Sequence, residues 1–216
     1  MKKEQILTTV AQFALCLLPI AYGFILWPWL PERIPTHFNA AGVADGYQGK
    51  LEALLWMPLF FCAMEAVVAL ALRFDPKAEK HSAALRAIGL WTMPVLGNLV
   101  RVCVFALAMG MEVPITQLIL TGVGVLVLAV GNYLPKCKQN YTMGIRVPWT
   151  LDDPEDWNKT HRFAGYLWMT GGAVLILTPW IGLYWLLLPV VLVLALLPIG
   201  YSFFLYMRNR QIPPQN

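Results

Sequence analysis

Charge is the scarcest ingredient of this chain. Of its 216 residues only 13% are Asp, Glu, Lys or Arg, about half the share of an ordinary soluble domain. The deficit excludes a large soluble domain, and direct nucleic-acid binding is not expected. The net charge of +4 is informative only through its placement. Paired cysteines are lacking too. Cys16, Cys62, Cys103 and Cys137 show no CxxC spacing and place no pair in an external loop. Neither a structural disulfide nor a metal site is therefore expected. No HExxH, no phosphate-cradling glycine loop and no Ser/His/Asp or Cys/His arrangement stands out. Nothing announces a catalytic centre or a cofactor.

What fills the chain instead is apolar: 58% of residues are hydrophobic. Six apolar segments emerge at 6–30, 52–72, 84–110, 115–134, 162–181 and 183–207. Several reach the roughly 20 residues that cross about 30 Å of hydrocarbon. They predict an all-α polytopic membrane protein with about six transmembrane helices, plus a short interfacial cytoplasmic helix. The first segment is too long for a signal-peptide core and ends in Trp27-Pro28-Trp29-Leu30, not in a small-residue cleavage site, so it reads as a retained helix. Two units are expected, 1–75 with an external Pro31–Lys50 loop, and 84–216 as a four-helix unit.

Orientation follows from the basic residues. With the N-terminus inside, thirteen Lys and Arg fall in cytoplasmic segments, and only Arg33 and Lys50 fall outside. This is a strong positive-inside bias. It places both termini in the cytoplasm. Trp27, Trp29, Trp56, Trp180 and Trp185 then lie near external helix ends, as interfacial anchors do.

The external loop, LPERIPTHFNAAGVADGYQGK, opens with Pro31 and Pro35, which rule out regular helix and favour an extended entry. Asn39, Gly42, Asp45, Gly46 and Gly49 supply turn chemistry. A turn there can join His37, beside Phe38, to Asp45. That is a polar tie or half a metal site, with Glu32 as the one nearby third ligand. Inside the spans, Glu65 and Arg101 are functional candidates because intramembrane charge is costly. Their depths differ by about 10 Å at 1.5 Å per residue, a marginal fit for a pair. Asn98, one turn before Arg101, shares its helical face.

The polar stretch Gly131–Arg162, GNYLPKCKQNYTMGIRVPWTLDDPEDWNKTHR, is too rich for a mere connector. Pro135 ends the fourth helix. Tyr141–Trp149 reads as an irregular interfacial segment. Asp153 is a helix cap, Pro154 the first helical residue and Asp156 the capping-box acid. A short helix through Trp157, Thr160 and His161 then leads into the fifth span.

This island resembles the SdpI/YfhL family of bacterial integral membrane proteins. The carriers are GNYLPK, the GIRVPWTL core, where Val147 stands at a position more often Thr, and WNKTHR. The outer loop resembles a separate small domain of unknown function commonly found N-terminal to that family. The resemblance implies immunity to a secreted antimicrobial peptide toxin. It also implies a receptor that holds a cytoplasmic winged-helix repressor at the bacterial plasma membrane. Family positions here are Gly131, Asn132, Pro135, Asn140, Gly144, Arg146, Pro148, Trp149, Trp157, Lys159, Thr160, His161 and Arg162. Two other readings stand beside it: a small transporter or exporter using Glu65, Asn98 and Arg101, and a membrane metalloenzyme built on His37 and Asp45.

Overall fold

The computed structural model describes residues 3–39, 42–80 and 82–210. Lys2 and residues 211–216, which belong to the termini oriented above, lie outside them. Among the described residues the chain is helical apart from one hairpin. The α-helices are α1 (Lys3–Ile25), α2 (Lys50–Phe74), α3 (Ala83–Ala108), α4 (Ile115–Tyr133), α5 (Pro148–Asp152), α6 (Pro154–Leu177) and α7 (Leu187–Arg210). Five stretches, built on α1, α2, α3, α4 and α7, are long and apolar enough to cross a membrane. The chain is a multi-pass membrane protein. The expected fifth span corresponds to α6, which starts eight residues earlier. Its first turns are polar, so the short interfacial helix and the span form one continuous helix.

The residues gather into two compact units, 1–70 with 89–119, and 71–88 with 120–216. In the first, Leu30, Ile34, Leu54, Val104, Phe105 and Ile115 form a buried core. The loop after α1 is a β-hairpin, β1 (Arg33–Phe38) antiparallel to β2 (Ala44–Gly49), irregular around Thr36. Fully buried Ile34 anchors it. Asn39 closes the turn, accepting the Val43 amide on Oδ1 (3.1 Å). Gly42 follows at φ +76°, a backbone state that glycine adopts without penalty. His37 Nδ1 and Asp45 Oδ1 meet at 2.5 Å across the hairpin. The tie expected between them is present.

Helix-interior prolines explain two long-range hydrogen bonds. A proline has no N–H, so the carbonyl four residues back loses its helical donor. In apolar surroundings a replacement must be found. Pro19 releases the Leu15 carbonyl, and Asn98 Nδ2 on α3 donates to it at 2.7 Å. Asn98 therefore ties α3 to α1 and does not share a polar cluster with Arg101. In the second unit Pro198 releases the Leu194 carbonyl, which accepts Trp168 Nε1 from α6 at 3.0 Å. Asn98→Ala is expected to lower stability by about 1–3 kcal/mol. In a Pro19→Ala background, where the helical donor is restored, most of that loss should vanish. Apparent melting temperatures of the four proteins of this double-mutant cycle give the coupling.

Glycines bring α4 and α6 of the second unit into backbone contact. A Cβ at Gly172 would lie 2.6 Å from the Leu128 nitrogen and 2.8 Å from the Gly124 oxygen. At Gly131 a Cβ would lie 2.7 Å from the Met169 nitrogen. Gly124 and Gly131 on α4 face Gly172 and Gly165 on α6, each pair two helical turns apart, as in small-residue membrane packing.

Candidate functional site

The island starts where Pro135 halts α4 in a single 3-10 turn, Leu134–Lys136. Asn140 organises the next residues from a fully buried position. Its Oδ1 accepts the amides of Thr142 (2.9 Å) and Met143 (2.6 Å), and its Nδ2 donates to the Lys138 carbonyl (2.8 Å). Asp75, just after α2, fastens the same segment from outside. Its Oδ2 accepts the Tyr141 amide (3.1 Å) and the Thr142 hydroxyl (2.6 Å). Lys77 Nζ donates to Gln139 Oε1 (3.3 Å), and Gln139 Nε2 donates to the Leu151 carbonyl (2.7 Å). Gly144, at φ +101°, passes over His161 so closely that a Cβ would overlap the ring.

His161 and Trp157 are the floor of the island, each 1% exposed, their rings stacked at 4.0 Å. His161 Nδ1 is 2.8 Å from the Trp157 carbonyl, and Nε2 is 2.9 Å from the Ile145 amide. A carbonyl only accepts and an amide only donates, so this ring is neutral with its proton on Nδ1. Trp157 Nε1 donates to the Cys137 carbonyl (2.7 Å). Thr150 reaches back to accept the Val147 amide (3.1 Å), which starts α5. Asp153 caps α6 through the Glu155 amide (2.8 Å), with Pro154 first in the helix, as expected. Asp156 departs from its expected place. It turns inward, 1% exposed, and accepts the Thr160 hydroxyl (2.9 Å) in place of a backbone amide.

Three titratable groups inside the island are pushed by burial against their charged forms. The Cys137 thiol rises to about 11, the His161 imidazole falls to about 4, and the Asp156 carboxyl is raised. The lysines flanking Cys137 do not activate it. His161 binds fewer protons in the folded protein than in the unfolded one between its ordinary 6.5 and about 4. Stability therefore falls with pH across that window, by about 3 kcal/mol in total at 1.4 kcal/mol per unit. Asp156 works in the opposite sense, but only from 3.8 up to its raised value. Apparent melting temperatures between pH 7 and pH 4 should show the fall in the wild type, and His161→Gln should lack most of it.

The family positions divide by depth. Asn140, Trp157, Thr160 and His161 are buried, and they build the platform. Asn132, Pro135, Gly144, Arg146, Pro148 and Arg162 are exposed, and Trp149 and Lys159 are half-buried. Arg146 Nη1 donates to the Tyr141 carbonyl (2.5 Å), while Lys159 pairs with Glu155 (2.5 Å). Trp149 is spoken for: Nε1 donates to Ser202 on α7 (2.7 Å), and the ring packs on Phe203 and Tyr206. Sequence reasoning missed Asp75, Lys77, Gln139 and Thr150 as parts of this site.

Residues 136–202, most of the island and the helices after it, match the family described as SdpI/YfhL protein family. Residues 14–62, which hold the hairpin, match the Domain of unknown function (DUF1648). The chain is 29% identical over 183 residues to a Bacillus subtilis (strain 168) protein, "Immunity protein SdpI", covering 82% of this chain and 84% of that protein.

The chain thus carries an SdpI/YfhL-like region after a DUF1648-like one.

No solved structure matches it. The DUF1648-like region sets His37, Phe38, Asn39, Gly42 and Asp45 on the hairpin and its turn. Glu32, the potential third metal ligand, instead faces Lys50 at 3.7 Å. Among the described residues no group of three His, Cys, Asp or Glu side chains could hold a metal ion. Glu65 and Arg101 are buried, at 0% and 1% exposure. Neither Glu65 oxygen has a hydrogen-bond partner, nor do Nε and Nη2 of Arg101, and the two residues form no ion pair.

Proposed function

We propose that this protein confers immunity to a secreted antimicrobial peptide. In this reading it acts as a receptor in the bacterial plasma membrane, with both termini and the island in the cytoplasm and the hairpin outside. The likeness to the Bacillus subtilis immunity protein over most of both chains is the observation that carries it. The geometry of the island adds support. Its buried ionisable groups are held against charge by burial, and its one histidine has both ring nitrogens engaged. That suits a docking platform for a cytoplasmic protein such as a winged-helix repressor better than a catalytic centre. The exposed basic residues Arg146 and Arg162 are the docking groups in this account, and the DUF1648 hairpin meets the peptide. The activity is non-enzymatic.

The transport reading rests on Glu65 and Arg101, and their failure to pair leaves it without a coupled site. Expression in a sensitive bacterium tests the proposal. Survival in spent medium of the source organism, which carries its secreted peptides, should rise with expression. Survival no better than that of cells with empty vector would contradict it.

A further inference from the structure

The first unit contains a buried cation with no counter-ion among the described residues, near an apolar cavity. Arg101 on α3 is 1% exposed, with Nε and Nη2 unpartnered, and its guanidinium lies 4.3 Å from the centre of the Phe105 ring. Tyr22 on α1 meets that same ring edge-on at 5.7 Å, and its buried hydroxyl also lacks a partner. A cavity of about 290 Å³ is lined by Tyr22 and Phe105, the ring on which the Arg101 guanidinium sits, together with Ile25, Leu26, Val102 and Met109 among others. Val102 and Phe105 lie on α3 with Met109 in the turn just past its end, and Arg101 stands one turn before Phe105.

A guanidinium is charged under all ordinary conditions, and leaving it unpaired away from water is costly. Among the described residues no carboxylate pairs with it, Glu65 included. A planar fork of donors beside a hydroxyl matches the two oxygens of a carboxylate. The walls are apolar apart from Tyr22, and the volume sits at the small end of ligand pockets, suiting one narrow chain. Ile25 and Val102 on its rim are 70% and 55% exposed on membrane-crossing helices, so entry is from the bilayer.

We propose that Arg101 and Tyr22 anchor the carboxylate of a single-chain amphiphile of the fatty-acid type, whose apolar chain occupies the cavity between α1 and α3. The site is independent of the island and of the docking reading.

Equilibrium binding of radiolabelled dodecanoate to the full chain in zwitterionic nanodiscs tests this, with dodecanol as the uncharged probe. Saturable binding of about one dodecanoate per chain is expected, with dodecanol at least tenfold weaker, the size of one lost charge-assisted contact. Arg101→Gln should weaken dodecanoate at least tenfold. Ala106→Phe, which fills the cavity and keeps the charge, should abolish binding and decides the matter if Arg101→Gln does not fold. Equal binding of dodecanol, binding undiminished in Ala106→Phe, or no saturable dodecanoate binding by the wild type would overturn the proposal.

Discussion

Gly172→Leu is expected to yield no folded, monodisperse protein. Even the first added carbon would lie 2.6 Å from the Leu128 nitrogen and 2.8 Å from the Gly124 oxygen, both of them backbone atoms of α4. Neither can move without shifting the whole helix, so α4 and α6 must separate along the glycine seam. Overpacking a well-packed site typically costs about 1–3 kcal/mol, and here backbone blocks the usual side-chain relief. Separation would also pull the 3-10 turn before Cys137 away from Gly165, which Pro135 touches. The contrast is Gly200→Ala on α7, where a Cβ meets nothing within 4 Å. That change should be neutral, or stabilising by up to about 1 kcal/mol through helix propensity. Size-exclusion profiles and melting of the two variants decide between a steric seam and a general intolerance of glycine replacement.

Arg146→Ala combined with Arg162→Ala is expected to abolish protection while the protein stays in the membrane at wild-type levels. Both side chains are exposed. The one hydrogen bond at stake is Arg146 to the Tyr141 carbonyl, an exposed contact of small weight. Arginine anchors at a docking surface are commonly worth about 2 kcal/mol or more, on the order of thirtyfold in affinity. Trp149→Ala should behave differently. It removes the hydrogen bond to Ser202 and the packing on Phe203 and Tyr206, so lost protection would come with lowered stability. Survival assays paired with membrane levels and melting temperatures separate the two classes. Full protection in the correctly inserted double variant would remove Arg146 and Arg162 from the docking role.

The helices were legible because apolar runs and proline stops are local signals. Pro135 ends α4, and Asp153-Pro154 starts α6, as their chemistry dictates. The His37–Asp45 tie was legible for the same reason, with a turn of few residues between them. The hairpin was not, because Ala44-Asp45-Gly46-Tyr47-Gln48-Gly49 has no β-branched residue and reads as turn. Asn98 could be placed only by seeing that Pro19, 79 positions earlier, frees a carbonyl. Asp75 escaped notice in a charged connector, 66 residues from the amide that it receives. Asp156 sits where a capping acid belongs, yet the helix face it occupies is the buried one, and packing overrode the cap. Depth was the missing quantity throughout. Asn140 and Arg146 look alike as polar motif residues, but one is fully buried and the other exposed.

The receptor account requires the hairpin and the island to face opposite sides of the membrane. Single cysteines at Val43, 60% exposed in the hairpin turn, and at exposed Lys138 in the island test it most directly. Both are introduced into a chain with Cys16, Cys62, Cys103 and Cys137 replaced by Ala, then treated with a membrane-impermeant maleimide. Val43→Cys should label in intact cells, and Lys138→Cys only after the membrane is permeabilised. Labelling of both in intact cells, or of Lys138→Cys alone, would contradict the account.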